Sequence, residues 1–263
     1  ATAAGALVVV PLDSEASGSA PRVEVLSAQP AGVRMILELP AFEVEAYPLK
    51  DATYQTVFFE RGELFGKAGE PALPAFSRYC SLPSGSNASL RILATEEETL
   101  SGYRLLPMQE DEGSAFSIDA EVYARDEWLG GPAVELGEPV VMRGRRLVPL
   151  IWRPVAYNPA RGEIRVIRSM EIAIDYLAGE PRNPARRDDL PAASAFDRMA
   201  GSVVLDAPVT APLRGDGRGH LGTWLIISRN ISSVLTELAP LVEWRRRQGY
   251  NVVQTTTSQT GTS

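Results

Sequence analysis

Cys80 and His220 are the only cysteine and histidine in the chain, and together they could do nucleophilic chemistry. A cysteine attacks as its thiolate, which a neighbouring base or positive charge must favour, and histidine is the usual base. Their surroundings argue against that partnership. Cys80 stands among Tyr79, Leu82 and Pro83, in a stretch that reads as β-domain interior. Free cysteine is among the most often buried residue types, so Cys80 reads as a structural thiol. His220 lies in a glycine-rich connection and reads as a solvated residue there. One residue of each kind also excludes a disulfide framework, a cysteine-cluster metal site and a multi-histidine site.

The other residues with chemical meaning are arginines in the connection over 178–222: Arg186, Arg187, Arg214 and Arg218. A protease must draw an extended segment into its cleft, so basic residues in such a connection are candidate cleavage positions. The competing reading is that they only keep it soluble. Arg214-Gly-Asp216 is too short a match to the adhesion tripeptide to carry weight. Asn87-Ala-Ser and Asn230-Ile-Ser fit a glycosylation sequon, but Asn230 falls where a helix N-cap belongs. Ser228-Arg-Asn-Ile-Ser lacks the glycines of a phosphate loop, which weighs against nucleotide binding.

Which elements would position these residues? At 263 residues, with 20 prolines and 22 glycines, the chain suits β-structure and loops over most of its length. Short strand-like runs fall at 23–26, 33–39, 53–59, 90–94, 103–107, 115–120, 139–141, 146–156, 163–167 and 171–176. Alternation is clearest in Glu171-Ile-Ala-Ile-Asp-Tyr, and Asn158-Pro-Ala-Arg-Gly162 reads as a hairpin loop. Many short strands with no convincing helix predict an antiparallel β-sandwich over 21–177. Residues 178–222, rich in proline and arginine, read as a joint. The apolar run 3–11 and the small residues after it read as a signal-peptide remnant over 1–20, or as a disordered terminus or first edge strand.

From Thr223 the pattern changes. Trp224-Leu-Ile-Ile suits a strand covered on both faces, and apolar residues at 234, 235, 238, 241 and 242 mark a helix face. Arg245, Arg246 and Arg247 crowd its last turn as a solvated helix end, Gly249 stands at C′, and Asn251-Val-Val-Gln-Thr-Thr-Thr restarts a strand. Trp152 and Trp244 are expected to be core or domain-contact aromatics. This is a β-α-β unit, the opening of an α/β domain over 223–263 that one crossover cannot close, so the sequence reads as a truncated piece. Charge is uneven along the chain. The last region has four basic and two acidic residues (+2) and the joint has six of each, so an overall −7 leaves −9 in the front part, residues 1–177. An acidic front argues against nucleic acid or an anionic membrane as partner, and no run reaches a membrane span.

Two passages of the front part resemble the propeptide of gingipain-like cysteine peptidases. One is Gly69-Glu-Pro-Ala-Leu-Pro-Ala-Phe with Tyr79-Cys-Ser-Leu-Pro83; the other runs from Leu147 through Tyr157-Asn-Pro to Tyr176. The stretch from Trp224 to the strand after Gly249 resembles the first strand, helix and strand of the same family's caspase-like catalytic domain. The resemblance implies a secreted or cell-surface bacterial zymogen, whose β-sandwich docks on its own peptidase domain, assists its folding and blocks it until proteolysis. Its catalytic histidine and cysteine, in that order, would lie beyond residue 263, so no catalytic residue is expected in this chain. Cys80 before His220 is the reverse order. No cofactor is expected here, although calcium is in keeping with the family's catalytic part. Protein substrates would belong to the full-length enzyme. The competing readings are a non-catalytic secreted adhesion or carbohydrate-binding sandwich, and a family member with no dyad.

Overall fold

The computed structural model describes residues 7–14, 16, 18–49, 52–110, 115–142, 145–184, 201–206 and 223–261. In chain order the strands of the front unit are β1 (Leu7–Pro11), β2 (Arg22–Gln29), β3 (Gly32–Glu38), β4 (Ala41–Leu49), β5 (Ala52–Phe58) and β6 (Glu63–Phe65). There follow β7 (Leu73–Ser81), β8 (Ser86–Ser101), a one-turn helix α1 (Ala120–Tyr123), β9 (Val134–Leu136) and β10 (Val140–Met142). The unit closes with β11 (Arg145–Trp152), β12 (Val155–Asn158) and β13 (Glu163–Ala178).

β13 is the axis of the first large sheet. One edge pairs with β8 along its length, and the other pairs first with β12 and then with β3, which carries β2. A register shift between Ile167 and Ser169 lets Val166, Ile167, Met170 and Ile172 all turn inward while Arg168 stays outside. The second large sheet is built on β11, with β7 on one side and β9 and β10 on the other. Val148, Leu150 and Trp152 of β11, with Phe76 and Cys80 of β7, meet Met35, Leu37, Met170, Ile172 and Ile174 in one buried cluster. Each such side chain contributes about 1.5–3 kcal/mol on leaving water. A third sheet places β4 between β1 and β5. The sandwich and its antiparallel pairing are as the sequence predicts.

Several expectations need correction. The run 115–120 is no strand: Asp119 caps α1, its carboxylate accepting from the Glu121 and Val122 amides at 3.0 Å each. The run 103–107 makes only single bridges, Leu105 with Gln55 and Pro107 with Pro71. The run 146–156 breaks at Arg153-Pro154 into β11 and β12. β4 and β7 escape the pattern because Pro48 and Pro74 lie within them; Pro48 stands near the β4–β5 turn and Pro74 opposite short β6. β8 runs far past 90–94, because its acidic run is paired across the sheet, Glu96 with Arg168 and Glu97 with Arg165. Charges of this kind also discourage a free edge from recruiting another strand. Of the N-terminal apolar run, Leu7–Pro11 is an edge strand on β4, while residues 1–6 lie outside the described residues.

The second unit, taken by itself, is β14 (Thr223–Ser228), α2 (Ser232–Arg247), β15 (Asn251–Thr256) and a short α3 (Thr257–Thr260). β14 and β15 pair in parallel, Thr223 with Asn251 through Ser228 with Thr256. A helix joining two parallel neighbours is the expected crossover. Helix α2 ends in a Schellman motif: the Tyr250 amide donates to the Arg245 carbonyl and the Gly249 amide to that of Arg246, with Gly249 at φ 92°. Val242 and Val252 are buried, whereas Leu225, Ile227 and Val253 are exposed. The two-sided cover expected for Trp224-Leu-Ile-Ile is thus one-sided among the described residues. The N-cap is Ile231, one residue after the expected Asn230.

Candidate functional site

By strand parity Arg146 belongs to the inward row of β11, with Val148, Leu150 and Trp152, and it is 4% exposed. Its guanidinium spans two parts of the chain. Nη1 donates to the carbonyls of Pro83 and Ser86 at 2.8 and 2.7 Å, and on the other side Nη2 reaches Arg182 O at 2.6 Å and Nε reaches Asn183 O at 3.2 Å. Five donors in a planar fork make arginine suited to such a cluster of carbonyls. Asn87 helps from β8, its amide donating to Glu180 O and its carbonyl accepting from the Arg182 amide, both at 3.0 Å. Asn183 donates to Pro139 O at 2.9 Å. The start of the joint is therefore strapped to the end of the sandwich.

A second attachment follows. Val204–Asp206 belongs to the compact unit of the sandwich. Val204 forms a parallel bridge with Tyr79, the Leu205 amide donates to Tyr79 O at 2.8 Å, and the Asp206 carboxylate accepts from the Ser81 amide at 2.7 Å. Between Tyr79 and Ser81 stands Cys80, fully buried opposite Val148. Burial, and secondarily the Asp206 charge, push its thiol well above the ordinary range. That is the opposite of what a nucleophile needs. Tyr176, whose hydroxyl donates to Ser81 O at 3.1 Å, is raised to about 12 for the same two reasons. Cys80 should accordingly resist an alkylating reagent in the folded protein at pH 8 and react fully once the chain is unfolded in urea. Labelling followed by mass measurement reads this directly.

The Tyr157-Asn-Pro passage forms a polar corner at the β12–β13 turn. Asn158, 1% exposed, donates to Asp126 Oδ1 at 2.8 Å and accepts from the Arg161 amide at 3.2 Å. Arg161 Nε meets the same Asp126 oxygen at 2.6 Å. The Arg161 hydrogen bond, then that of Asn158, hold the Asp126 carboxyl below its ordinary value. A depressed folded pKa stabilises above the unfolded value, and that stability is lost as pH falls through the folded one. Asp126→Asn should therefore show a shallower loss of stability than the parent below about pH 4, read as the urea midpoint against pH.

In the second unit the basic triplet divides. Arg246 and Arg247 are solvated as expected, but Arg245 folds back over Trp224 and Trp244, 4.5 and 4.6 Å from the ring centroids, with Tyr250 at 5.6 Å. Trp244 is half exposed rather than core, while Trp152 is fully buried.

The candidate cleavage residues Arg186, Arg187, Arg214 and Arg218, like His220, lie outside the described residues. What sequence reading missed are Arg146, Asn87 and Asp206, which fix the described parts of the joint. Parity along β11 is the one signal for Arg146; Asn87 stands out in the sequence only as part of a sequon, and nothing local distinguishes Asp206. Among the described residues no group of three or more His, Cys, Asp or Glu side chains is placed to hold a metal ion. No helix among them is long and apolar enough to cross a membrane.

A β-sandwich bound to its own exit segment and followed by a parallel β-α-β unit has the organisation of a propeptide that precedes a folded domain. The chain belongs to the Propeptide_C25 family, whose model matches residues 13–196. Lys-gingipain HG66 of Porphyromonas gingivalis is 24% identical over 150 residues, 52% of this chain and 9% of that protein. Gingipain R2 of the same organism is 18% identical over 240 residues, 88% of this chain and 32% of that protein. This chain thus spans less than a third of those bacterial relatives' length. Among solved structures, one on the zymogenic latency of gingipain K from P. gingivalis superposes with a TM-score of 0.59 at 21% identity, covering 66% of this chain and all of that one. A complex of P. gingivalis RgpB pro- and mature domains gives 0.62 at 18% identity, covering 72% and 98%. These two likenesses establish the shared fold.

Proposed function

We propose that the sandwich docks on, helps to fold and silences a caspase-like cysteine endopeptidase domain that begins at β14. The observation that carries this reading is co-linearity: a family propeptide over 13–196 is followed in one chain by a parallel β-α-β unit of the kind that opens an α/β domain. Hydrolysis would proceed by thiolate attack and an acyl-enzyme, with histidine moving the proton, on residues outside this chain. Cys80, buried and held as a thiol, supplies none of it. Strands precede ligand-binding loops in open α/β sheets, so β14 and β15 would carry such loops at their C-terminal ends. Release would follow cleavage at Arg186 or Arg187, or at Arg214 or Arg218, in a secreted or cell-surface bacterial precursor.

The test adds the 263-residue chain to an active peptidase domain of the gingipain R2 type and follows hydrolysis of a peptide substrate. Inhibition that saturates near one chain per enzyme supports the reading. No inhibition at a large excess, with the sandwich shown to be folded, would sink it. Amino-terminal sequencing of the activated precursor, with each arginine changed to glutamine in turn, assigns the cut; a new terminus within the sandwich would remove all four arginines from consideration.

A further inference from the structure

The edge of β7 is covered unevenly. Short β6 pairs only with Leu73–Ala75, which leaves the stretch from Tyr79 to Ser81 open on that side. An open edge presents unpaired amides and carbonyls to any passing strand. Here Val204–Asp206 takes it, and takes it fully. A backbone amide meets the Tyr79 carbonyl, a carboxylate meets the Ser81 amide, Val204 is 7% exposed, and Leu205 packs against the core. A charge-assisted bond and two apolar side chains removed from water favour this pairing.

We propose that the Tyr79–Ser81 edge of β7 is a strand-receiving site and that Val204–Asp206 is a latch, which keeps the chain beyond the joint attached to the sandwich after the backbone is cut between 184 and 201. The latch lies downstream of the Arg146 strap, so the strap stays with the sandwich in any such cut and the latch stays with the other piece. The consequence for activation rests on the zymogen reading above. On that reading the two arginine pairs are unequal: a cut at Arg186 or Arg187 leaves a nicked but joined pair, whereas a cut at Arg214 or Arg218 sends latch and sandwich away together.

The test needs no peptidase. The whole 263-residue chain is nicked with trypsin, the cut placed between 184 and 201 by mass, and the two pieces followed by sedimentation as they are diluted. Leu205→Pro removes the amide that bonds Tyr79, and Val204→Asp puts a charge in its buried seat. Both residues lie outside the sheets, and unchanged melting of the uncut variants checks that the sandwich is intact. The parent pieces should stay together at concentrations at least tenfold below those at which either variant's pieces separate. Parent pieces that separate as readily as the variants' would overturn the latch. A latch that holds in a chain that fails to inhibit would leave this inference standing and sink only the zymogen reading.

Discussion

Arg146→Met should lower the unfolding free energy of the sandwich by about 3 kcal/mol, since hydrogen bonds to a charged group contribute about 1.5–3 kcal/mol each and buried carbonyls would lose their donor. For a unit of this size that is a fall in melting temperature of roughly 6–12 °C. The loss exceeds that of an ordinary surface arginine because the side chain is 4% exposed and its four acceptors come from two separate stretches, at 83–86 and 182–183. Methionine fills similar space but donates nothing. Arg146→Lys should recover only part, because an ammonium cannot serve both sides of the fork. The second readout is local: freed from Arg146, the stretch 180–183 should be cut sooner by protease while the sandwich is still folded. Wild-type melting and wild-type proteolysis in both variants would show that the strap is ornamental.

Gly32→Ala should cost a similar amount, about 2–4 kcal/mol, for a steric reason. A Cβ at Gly32 would stand 2.4 Å from the Ile174 carbonyl oxygen and 3.2 Å from Asp175 Cα. Those are backbone atoms of the central strand, which cannot swing aside as the end of a side chain can. Relief would mean moving β3 away from β13, where Gly32 pairs with Asp175. Gly18→Ala is the control, because nothing lies within 4 Å of its added Cβ; it should stay within about 0.5 kcal/mol of the parent. Urea midpoints of the two variants decide the matter, and equal midpoints would refute the clash.

The periodic parts of the fold were legible. β3, β13 and the β14–α2–β15 unit follow from alternation, helical spacing and a C′ glycine, all properties of neighbouring residues. What failed was punctuation. Pro48 and Pro74 read as breakers but sit where a ladder tolerates a missing donor, and the run ended at 94 continues through Glu96 and Glu97, which pair with Arg168 and Arg165 of β13. The candidate site was less legible still. Arg146 meets the joint 36 and 37 residues away, and Asp206 meets Ser81 across 125. No local pattern encodes such a meeting; the sandwich has to exist first.

The place of β13 sets a timetable. It is the axis of its sheet and the last strand of the sandwich to be made. A chain emerging from the ribosome at about 10 residues per second offers β3 some fourteen seconds before the partner that completes it has been synthesised. Until β13 is made, the edge of β3, and that of β8 once it has been synthesised, lack the strand they pair with. Once Ala178 is out, the sheet can close, while β14 is still about four seconds away at the same pace. The α/β unit thus emerges only after every strand of the sandwich has been synthesised.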